Sequence, residues 1–349
     1  MAARRRQNAR MPYYRPIAEY GAVRPASARS LAGGPVWFTR ALRLDRGAPP
    51  EPVTVDAIPA AILDRLTAPR APIAGLSLDR PRIMGILNVT PDSFSDGGRL
   101  TDLAASCAAA EALEAAGADI VDIGGESTRP GAETLPDETE IARTEPVITA
   151  LASRMRVPMS IDTRKAAVAR VAIAAGARLV NDVSGLTYDP AMVPLVAQGA
   201  LPVCVMHAQG DPQTMQDDPV YDDVLLDVYD WLDTRVGALE AQGIPRARIL
   251  VDPGIGFGKT VAHNLALLRG LSLFHGLGCG VLLGASRKGF IGRIAGVPQA
   301  QARMPGSVAV ALGAVAQGVQ VLRMHDVAET AQALALWRTV HEGVEFNVA

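Results

Sequence analysis

AAGADIVDIG (residues 115–124) joins a small-residue helix end, a glycine and a short apolar run, and the phrase returns four times. It reads AAGARLVNDV at 174–183, AQGALPVCVM at 197–206, AQGIPRARILVD at 241–252 and AQGVQVLRMH at 316–325. Helices often stop at a left-handed residue, where glycine has no Cβ to clash, so Gly117, Gly176, Gly199, Gly243 and Gly318 are expected as left-handed caps. The runs that follow are rich in Val, Ile and Leu and do not alternate with polar residues. That is the pattern of parallel strands covered on both faces. Working outward, eight such runs are found, at 82–88, 119–123, 158–162, 179–183, 202–206, 249–252, 281–285 and 319–324. Helical spacing of apolar residues predicts helices at 101–116, 137–151, 164–175, 219–242, 305–317 and 327–341. Eight β-α repeats in about 260 residues predict an α/β fold, a (β/α)8 TIM barrel over residues 80–349. A doubly wound open sheet is the alternative, and it would leave some strands unplaced.

Composition excludes several classes. The 349-residue chain has a formal charge of -2, which argues against a nonspecific nucleic-acid binder. Cys107, Cys204 and Cys279 lie far apart without CxxC spacing and read as reduced, partly buried thiols. No apolar run reaches the roughly 18 residues of a membrane span, and no signal-like core opens the chain. A cytoplasmic location is expected. MAARRRQNAR (1–10) carries four arginines and no acid, and reads as an arm or an overlong start rather than a transit peptide. Residues 1–79 are expected to form an N-terminal extension, partly irregular, with a strand or hairpin within 34–45 and a short helix at 58–66.

Barrel enzymes carry their chemistry at the C-terminal ends of the strands. Here those ends read Asn88, Asp122 with GGESTRPG, Asp162-Thr163-Arg164, Asn181-Asp182, Met206-His207, Asp252-Pro253-Gly254, Ser286-Arg287-Lys288 and Arg323-Met324-His325-Asp326. A single Asp there is often only a helix cap. Eight polar ends that include Lys, Arg and His ask for more than caps. Asp162, Asn181, Asp252 and Lys288 suit a heterocycle with amino and ring N–H donors beside a carbonyl acceptor. Asn88, Thr128, Arg323 and His325 are cationic or donor-rich and suit phosphate oxygens; Arg323 and His325, two apart on a strand, share a face.

Other motifs point to less. PGIGFGKT (253–260) is one residue short of a phosphate loop and reads as a glycine-rich turn lining the pocket. NVT at 88–90 is a chance glycosylation sequon. His207 either bonds a loop or touches ligand, and His263, His275 and His341 read as surface residues. No Cys/His cluster marks a structural transition-metal site.

The strand ends resemble those of dihydropteroate synthase over roughly residues 82–340. The matching motifs are LNVTPDSFSDGG, DIGGESTRPGA, SIDTRK, NDVSG, MH, DPGIGFGK, SRKGFIG and RMHDV, in family order. The resemblance implies a (β/α)8 transferase of a pterinylmethyl group. It would condense 7,8-dihydropterin-6-ylmethyl diphosphate with 4-aminobenzoate, yielding 7,8-dihydropteroate and diphosphate for folate biosynthesis, and sulfonamides would target it. By motif, the pterin would meet Asp162, Asn181, Met206, Asp252, Phe257 and Lys288. The diphosphate would meet Asn88, Thr128, Arg323 and His325, with Mg2+ at Asn88. The aminobenzoate would meet Phe94, Ser95, Thr128, Arg129, Pro130, Ser286 and Lys288. Asn88, Asp96, Arg323 and His325 would serve catalysis, Thr90 to Gly98 would act as a mobile lid, and a homodimer is expected. Two alternatives stay open: a methyltetrahydrofolate-type methyltransferase domain, which needs no diphosphate site, and a non-catalytic pterin-binding paralogue.

Overall fold

A computed structural model describes residues 12–21, 23–89, 99–127, 132–210 and 215–343. The extension contributes five short strands: β1 (Tyr13–Pro16), β2 (Arg29–Ser30), β3 (Trp37–Phe38), β4 (Arg40–Leu44) and β5 (Glu51–Thr54), followed by helix α1 (Ala60–Thr67). Strands β1, β4 and β5 pair antiparallel in the order β1-β4-β5, and β2 pairs with β3. Then come β6 (Arg82–Asn88), α2 (Arg99–Ala115), β7 (Ile120–Gly124), α3 (Asp137–Leu151), β8 (Met159–Asp162), α4 (Ala166–Ala175) and β9 (Leu179–Asp182). The chain continues with α5 (Met192–Gln198), β10 (Val203–Met206), α6 (Val224–Ala241), β11 (Ile249–Asp252), α7 (Val261–Arg269) and β12 (Gly280–Leu283). It closes with α8 (Gly289–Ala295), α9 (Met304–Val315), β13 (Val321–Met324) and α10 (Val327–Glu342).

Strands β6 to β13 form one closed parallel barrel in which each pairs with its sequence neighbours and β13 pairs back onto β6. The predicted eight-stranded α/β barrel is therefore the fold. The register aligns the strand ends: Asn88 pairs with Gly124, Gly124 with Asp162, and Asp162 with Asn181. Those polar ends stand side by side because neighbouring parallel strands present paired residues to the same face.

The repeated glycine works as expected at four of its five positions. Gly117, Gly176, Gly243 and Gly318 have φ of 103°, 129°, 90° and 83°. At each, the next residue's N–H reaches back five residues, as Ala118 does to Leu113 O at 3.0 Å, which satisfies a carbonyl the helix leaves over. Gly199 departs from the expectation. It stays right-handed at φ -73°, and Ala200 takes the left-handed place at φ 51°. The closing bond from Leu201 N to Val196 O sets the cap one residue later.

Apolar side chains sort into two layers. Inside the barrel, Met84, Ile120, Leu179, Cys204, Leu250, Leu282 and Val321 pack together, and Ile73 and Leu78 of the extension close that layer from below. The other strand face packs against the helices. The extension has its own small core around Tyr14, Leu31, Phe38 and Leu66. It docks on α6 and the turn Leu271–Leu277: the Tyr13 hydroxyl donates to Asp230 at 2.9 Å, and Arg46 pairs with Asp227 and Asp230 at 2.6 and 2.7 Å. Arg70 donates to the carbonyls of Cys279 and His275, both at 2.9 Å.

His275 corrects the surface reading. It is fully buried, with Nε2 3.0 Å from Gln317 O, and burial holds its imidazole down at about 3. His263 caps α7 with Thr260, and His341 packs edge-on to Trp337 and tilted against Tyr20. All three cysteines are free and buried. Among the described residues, no helix is long and apolar enough to cross a membrane.

Candidate active site

At the C-terminal mouth the barrel interior turns from apolar to charged. Arg323 rises from β13 and donates to two carboxylates, Nε to Asp122 Oδ2 and Nη2 to Asp162 Oδ2, each at 2.6 Å. Asn181 Nδ2 donates to the same Asp122 oxygen at 2.9 Å. Burial alone would push the Arg323 guanidinium down, but Asp122 and Asp162 outweigh it and hold it above its ordinary value. Asp162 is pushed up to about 7 by burial, opposed by the Arg323 charge and assisted by Asp122. Asp162 Oδ1 and Asp122 Oδ1 are buried acceptors without a partner among the described residues. Such atoms cost free energy until a donor reaches them.

Asp252, at the end of β11, accepts from Gly254 N at 2.7 Å. Burial raises its carboxyl, opposed by that N–H and by Lys288, Lys259 and Arg323. Gly284 lies beside it. A Cβ there would stand 3.4 Å from Asp252 Oδ2 and 3.9 Å from Arg323 Cδ, so glycine leaves room between them.

The turn after β11 forms one wall. Gly254, Gly256 and Gly258 are left-handed at φ 68°, 83° and 62°. A Cβ at Gly254 would fall 1.9 Å from His207 O and 3.2 Å from Met206 Cγ, and one at Gly258 would fall 2.4 Å from Gln209 O. Only glycine lets this turn lie directly on the segment after β10, with Gly254 against His207 and Met206. Lys288 Nζ stands 4.0 Å from the Phe257 ring centroid, a cation–π arrangement. The turn is thus a pocket wall whose left-handed glycines replace any phosphate-loop geometry. His207 lies beneath it with its ring edge-on to Trp231, and Lys259 Nζ is 3.0 Å from its Nδ1. Burial and the Lys259 charge lower His207 to about 2, so it is a neutral structural imidazole.

The adjoining wall, after the neighbouring strand β12, is built by Ser286-Arg287-Lys288. Arg287 sits left-handed at φ 57°, a strained conformation for a residue with a Cβ. Its guanidinium pairs with Asp326, and its N–H donates to Ser307 Oγ at 2.8 Å. The kink turns Arg287 toward Asp326 and leaves Lys288 facing Phe257. Ser286 Oγ accepts from His325 N at 3.1 Å and lies 3.0 Å from His325 Nδ1, which orients that ring. Asn88 is half-buried at the end of β6, on the rung shared with Gly124 and Asp162.

The described residues therefore bring together Asn88, Asp162, Asn181, Met206, Asp252, Phe257, Ser286, Lys288, Arg323 and His325 around one mouth. Phe94, Ser95, Asp96, Thr128, Arg129 and Pro130 lie outside the described residues, as does the lid reading of 90–98. Two features escape the candidate set. Asp122, one of the polar strand ends but assigned to no ligand, is the central acceptor of the mouth. Glu126, Glu140, Arg164 and Lys165 form a buried cluster under the β7–α3 connection. Lys165 Nζ donates to Glu126 at 2.6 Å and to Leu135 O and Glu140 at 2.7 Å each, and Arg164 Nη2 donates to Thr134 at 2.7 Å. No sequence signal marks it as a cluster, because its members are spread over three segments.

A closed parallel barrel with buried carboxylates, an amide and two cations at its mouth is an enzyme scaffold for a flat, polar, donor-bearing ring. The family described as pterin binding enzyme matches residues 84–325, and the chain belongs to that family. Its relatives narrow the assignment to one branch. The dihydropteroate synthase of Escherichia coli strain K12 is 44% identical over 259 residues, 74% of this chain and 91% of the relative. A structure of Xanthomonas albilineans dihydropteroate synthase with 4-aminobenzoic acid superposes with a TM-score of 0.73 at 48% identity, covering 78% of this chain and 98% of that one. A second, of the same enzyme in complex with 7,8-dihydropteroate, gives 0.71 at 45% identity, with the same coverages.

Proposed function

We propose that this chain is a dihydropteroate synthase: it joins 7,8-dihydropterin-6-ylmethyl diphosphate to 4-aminobenzoate and releases 7,8-dihydropteroate and diphosphate. The observation that carries the reading is the pair of unpartnered buried carboxylate oxygens on Asp122 and Asp162, beside Asn181 and Asp252. A pterin edge offers amino and ring N–H donors of the kind these acceptors lack. Relatives that hold aminobenzoate and dihydropteroate support both ends of the reaction.

In the displacement, the aminobenzoate nitrogen forms a bond to the methylene carbon as that carbon's bond to the diphosphate oxygen breaks, and the nitrogen's proton leaves to solvent. An arylamine is a neutral nucleophile and needs little base assistance. The demand falls on the leaving group. Negative charge that develops on departing oxygens is best met by donors already in place. His325, oriented by Ser286, and Lys288 are such donors, and the Arg323 guanidinium lies deeper, shared with Asp122 and Asp162. Asp162, Asn181 and Asp252 orient the ring, with Met206 and Phe257 against its faces.

Magnesium fits as a metal that travels with the substrate. Among the described residues, no group of three His, Cys, Asp or Glu side chains is placed to hold a metal. Asn88 offers one amide oxygen, and Mg2+ commonly takes one or two protein ligands with the rest from phosphate and water. When bound it would neutralise diphosphate charge. The protein acts in the cytoplasm as a homodimer in this reading. The test is diphosphate release from the two substrates, with a sulfonamide competing against aminobenzoate. Aminobenzoate-dependent release is expected, and its absence sinks the proposal.

A further inference from the structure

We propose that Lys259 is a positioning residue for pterin binding: its side chain clamps the β11–α7 turn onto the segment after β10 and so fixes the Phe257 ring against Lys288. The proposal rests on the reading of this mouth as a pterin site.

Lys259 is only 3% exposed. Its Nζ donates to Phe257 O at 2.8 Å and to His207 O at 3.3 Å, and lies 3.0 Å from His207 Nδ1. For that ring nitrogen to accept, His207 must carry its proton on Nε2. The three protons of an ammonium thus have three acceptors on two segments. Among the described residues none of these is a carboxylate; Asp252 acts on Lys259 only through space. Burying a cation among carbonyls and an imidazole is costly, and hydrophobic residues of similar volume often serve stability as well. What the lysine supplies that an apolar side chain cannot is the link between the two segments.

The link matters because Phe257 has no regular structure to hold it. It sits between left-handed Gly256 and Gly258, outside any strand or helix. Three successive carbonyls of this turn each take one side-chain donor: Gly256 O from Gln216 at 2.6 Å, Phe257 O from Lys259, and Gly258 O from Tyr221 at 2.8 Å. The Tyr221 ring also lies 6.1 Å from the His207 ring, but among these three donors Lys259 is the one that hydrogen-bonds His207, one residue past Met206. A single ammonium therefore ties the backbone of one ring-flanking residue to the neighbour of the other.

The test is Lys259→Met in the full-length protein, with two readouts. Calorimetry with 6-hydroxymethylpterin gives the pterin Kd, and steady-state kinetics at saturating pterin substrate give the aminobenzoate KM. Losing charge-assisted hydrogen bonds should raise the pterin Kd by roughly tenfold or more, with the aminobenzoate KM within about twofold. A folded variant with unchanged pterin Kd overturns the proposal. So does an equal rise in both constants, which is what general disruption would give. Should Lys259→Met not fold, His207→Leu removes one acceptor and keeps both carbonyls; it should raise the pterin Kd about threefold, and no change would overturn the clamp. Failure of the unaltered protein to bind the pterin would overturn the reading of the site, and the clamp with it.

Discussion

Asp122 holds the mouth together although it does not stand at its rim. One of its oxygens accepts from both Arg323 and Asn181. Removing that charge leaves a half-buried guanidinium with one carboxylate and frees an amide meant to face the ring. Asp122→Asn keeps the shape, and it should lower kcat/KM by about 30- to 4,000-fold, the roughly 2–5 kcal/mol lost when one partner of a hydrogen-bonded charge pair is truncated. Steady-state kinetics on the folded variant checks this, and a loss below threefold would count against a central role. Lys259 gives a prediction in pH. Burial lowers it from 10.5 to about 7, so between those values the unfolded chain binds more protons than the folded one. Stability from this group therefore rises with pH across that window, by up to about 1.4 kcal/mol per unit. The thiols, whose folded values burial raises, give the opposite slope above about 9, so the clean comparison lies between pH 7 and 8.5. Urea unfolding of wild type and Lys259→Met should diverge there, and parallel curves would contradict the shift. Sequence shows these residues unequally. Asp162, Asn181, Asp252 and Lys288 stand out as polar ends of apolar runs. That Arg323 pairs with Asp122 and Asp162 does not show, because they lie 201 and 161 positions away and the pairing is chosen by barrel closure.

At the scale of elements, the barrel is legible in the sequence for a physical reason. Parallel strands covered on both faces are unbroken apolar runs, and each helix that feeds one must stop, so glycines recur at matching places. Helix α3 spans the predicted 137–151, while α6 starts at Val224 rather than 219 because Asp223 caps it, accepting from Leu225 N and Leu226 N. Helices α5, α7 and α8 do not show in the sequence pattern. With 7, 9 and 7 residues they carry too few turns for periodicity to emerge. The displaced cap after α5 offers a stability test. Ala200 pays the left-handed penalty that its four counterparts avoid. Ala200→Gly should stabilise the protein by about 0.5–1 kcal/mol in urea unfolding, the strain released less the entropy a glycine loses on folding. A destabilised variant would mean that the left-handed backbone at 200 is not the native one. The Glu126–Lys165 cluster makes the opposite case. It ties Leu135 and Glu140 to the start of α4, and Lys165→Met would leave the buried Glu140 carboxylate without its cation and Glu126 with Arg164 alone. A loss of about 3–5 kcal/mol is expected, read as a lowered Tm; an unchanged Tm would show the cluster to be energetically idle.

For the whole molecule, the extension divides into two parts with different consequences. Residues 12–67 build a small sheet, a hairpin and a helix around their own core and lean on α6 through Tyr13 and Arg46. Residues 73–78 instead enter the barrel layer, where Ile73 and Leu78 pack against Met84, Ile120 and Leu250. The sequence boundary at residue 79 marks a change in composition, and composition does not reveal that this last stretch closes the barrel floor. The two parts can be separated by truncation. Removing residues 1–68 keeps Ile73, Leu78 and Arg70, so the interior layer stays filled and the mouth at the far end is untouched. That chain should fold with a lower Tm and bind the pterin within about twofold of the full protein, because sites this far apart with no shared partners act nearly independently. Removing residues 1–79 also deletes two large side chains from a close-packed interior. Each such loss costs about 2–5 kcal/mol, against a total stability of only about 5–15 kcal/mol. That chain should be insoluble or unfolded by circular dichroism. If it instead folded with the same Tm as the shorter truncation, Ile73 and Leu78 would not be the floor of the barrel.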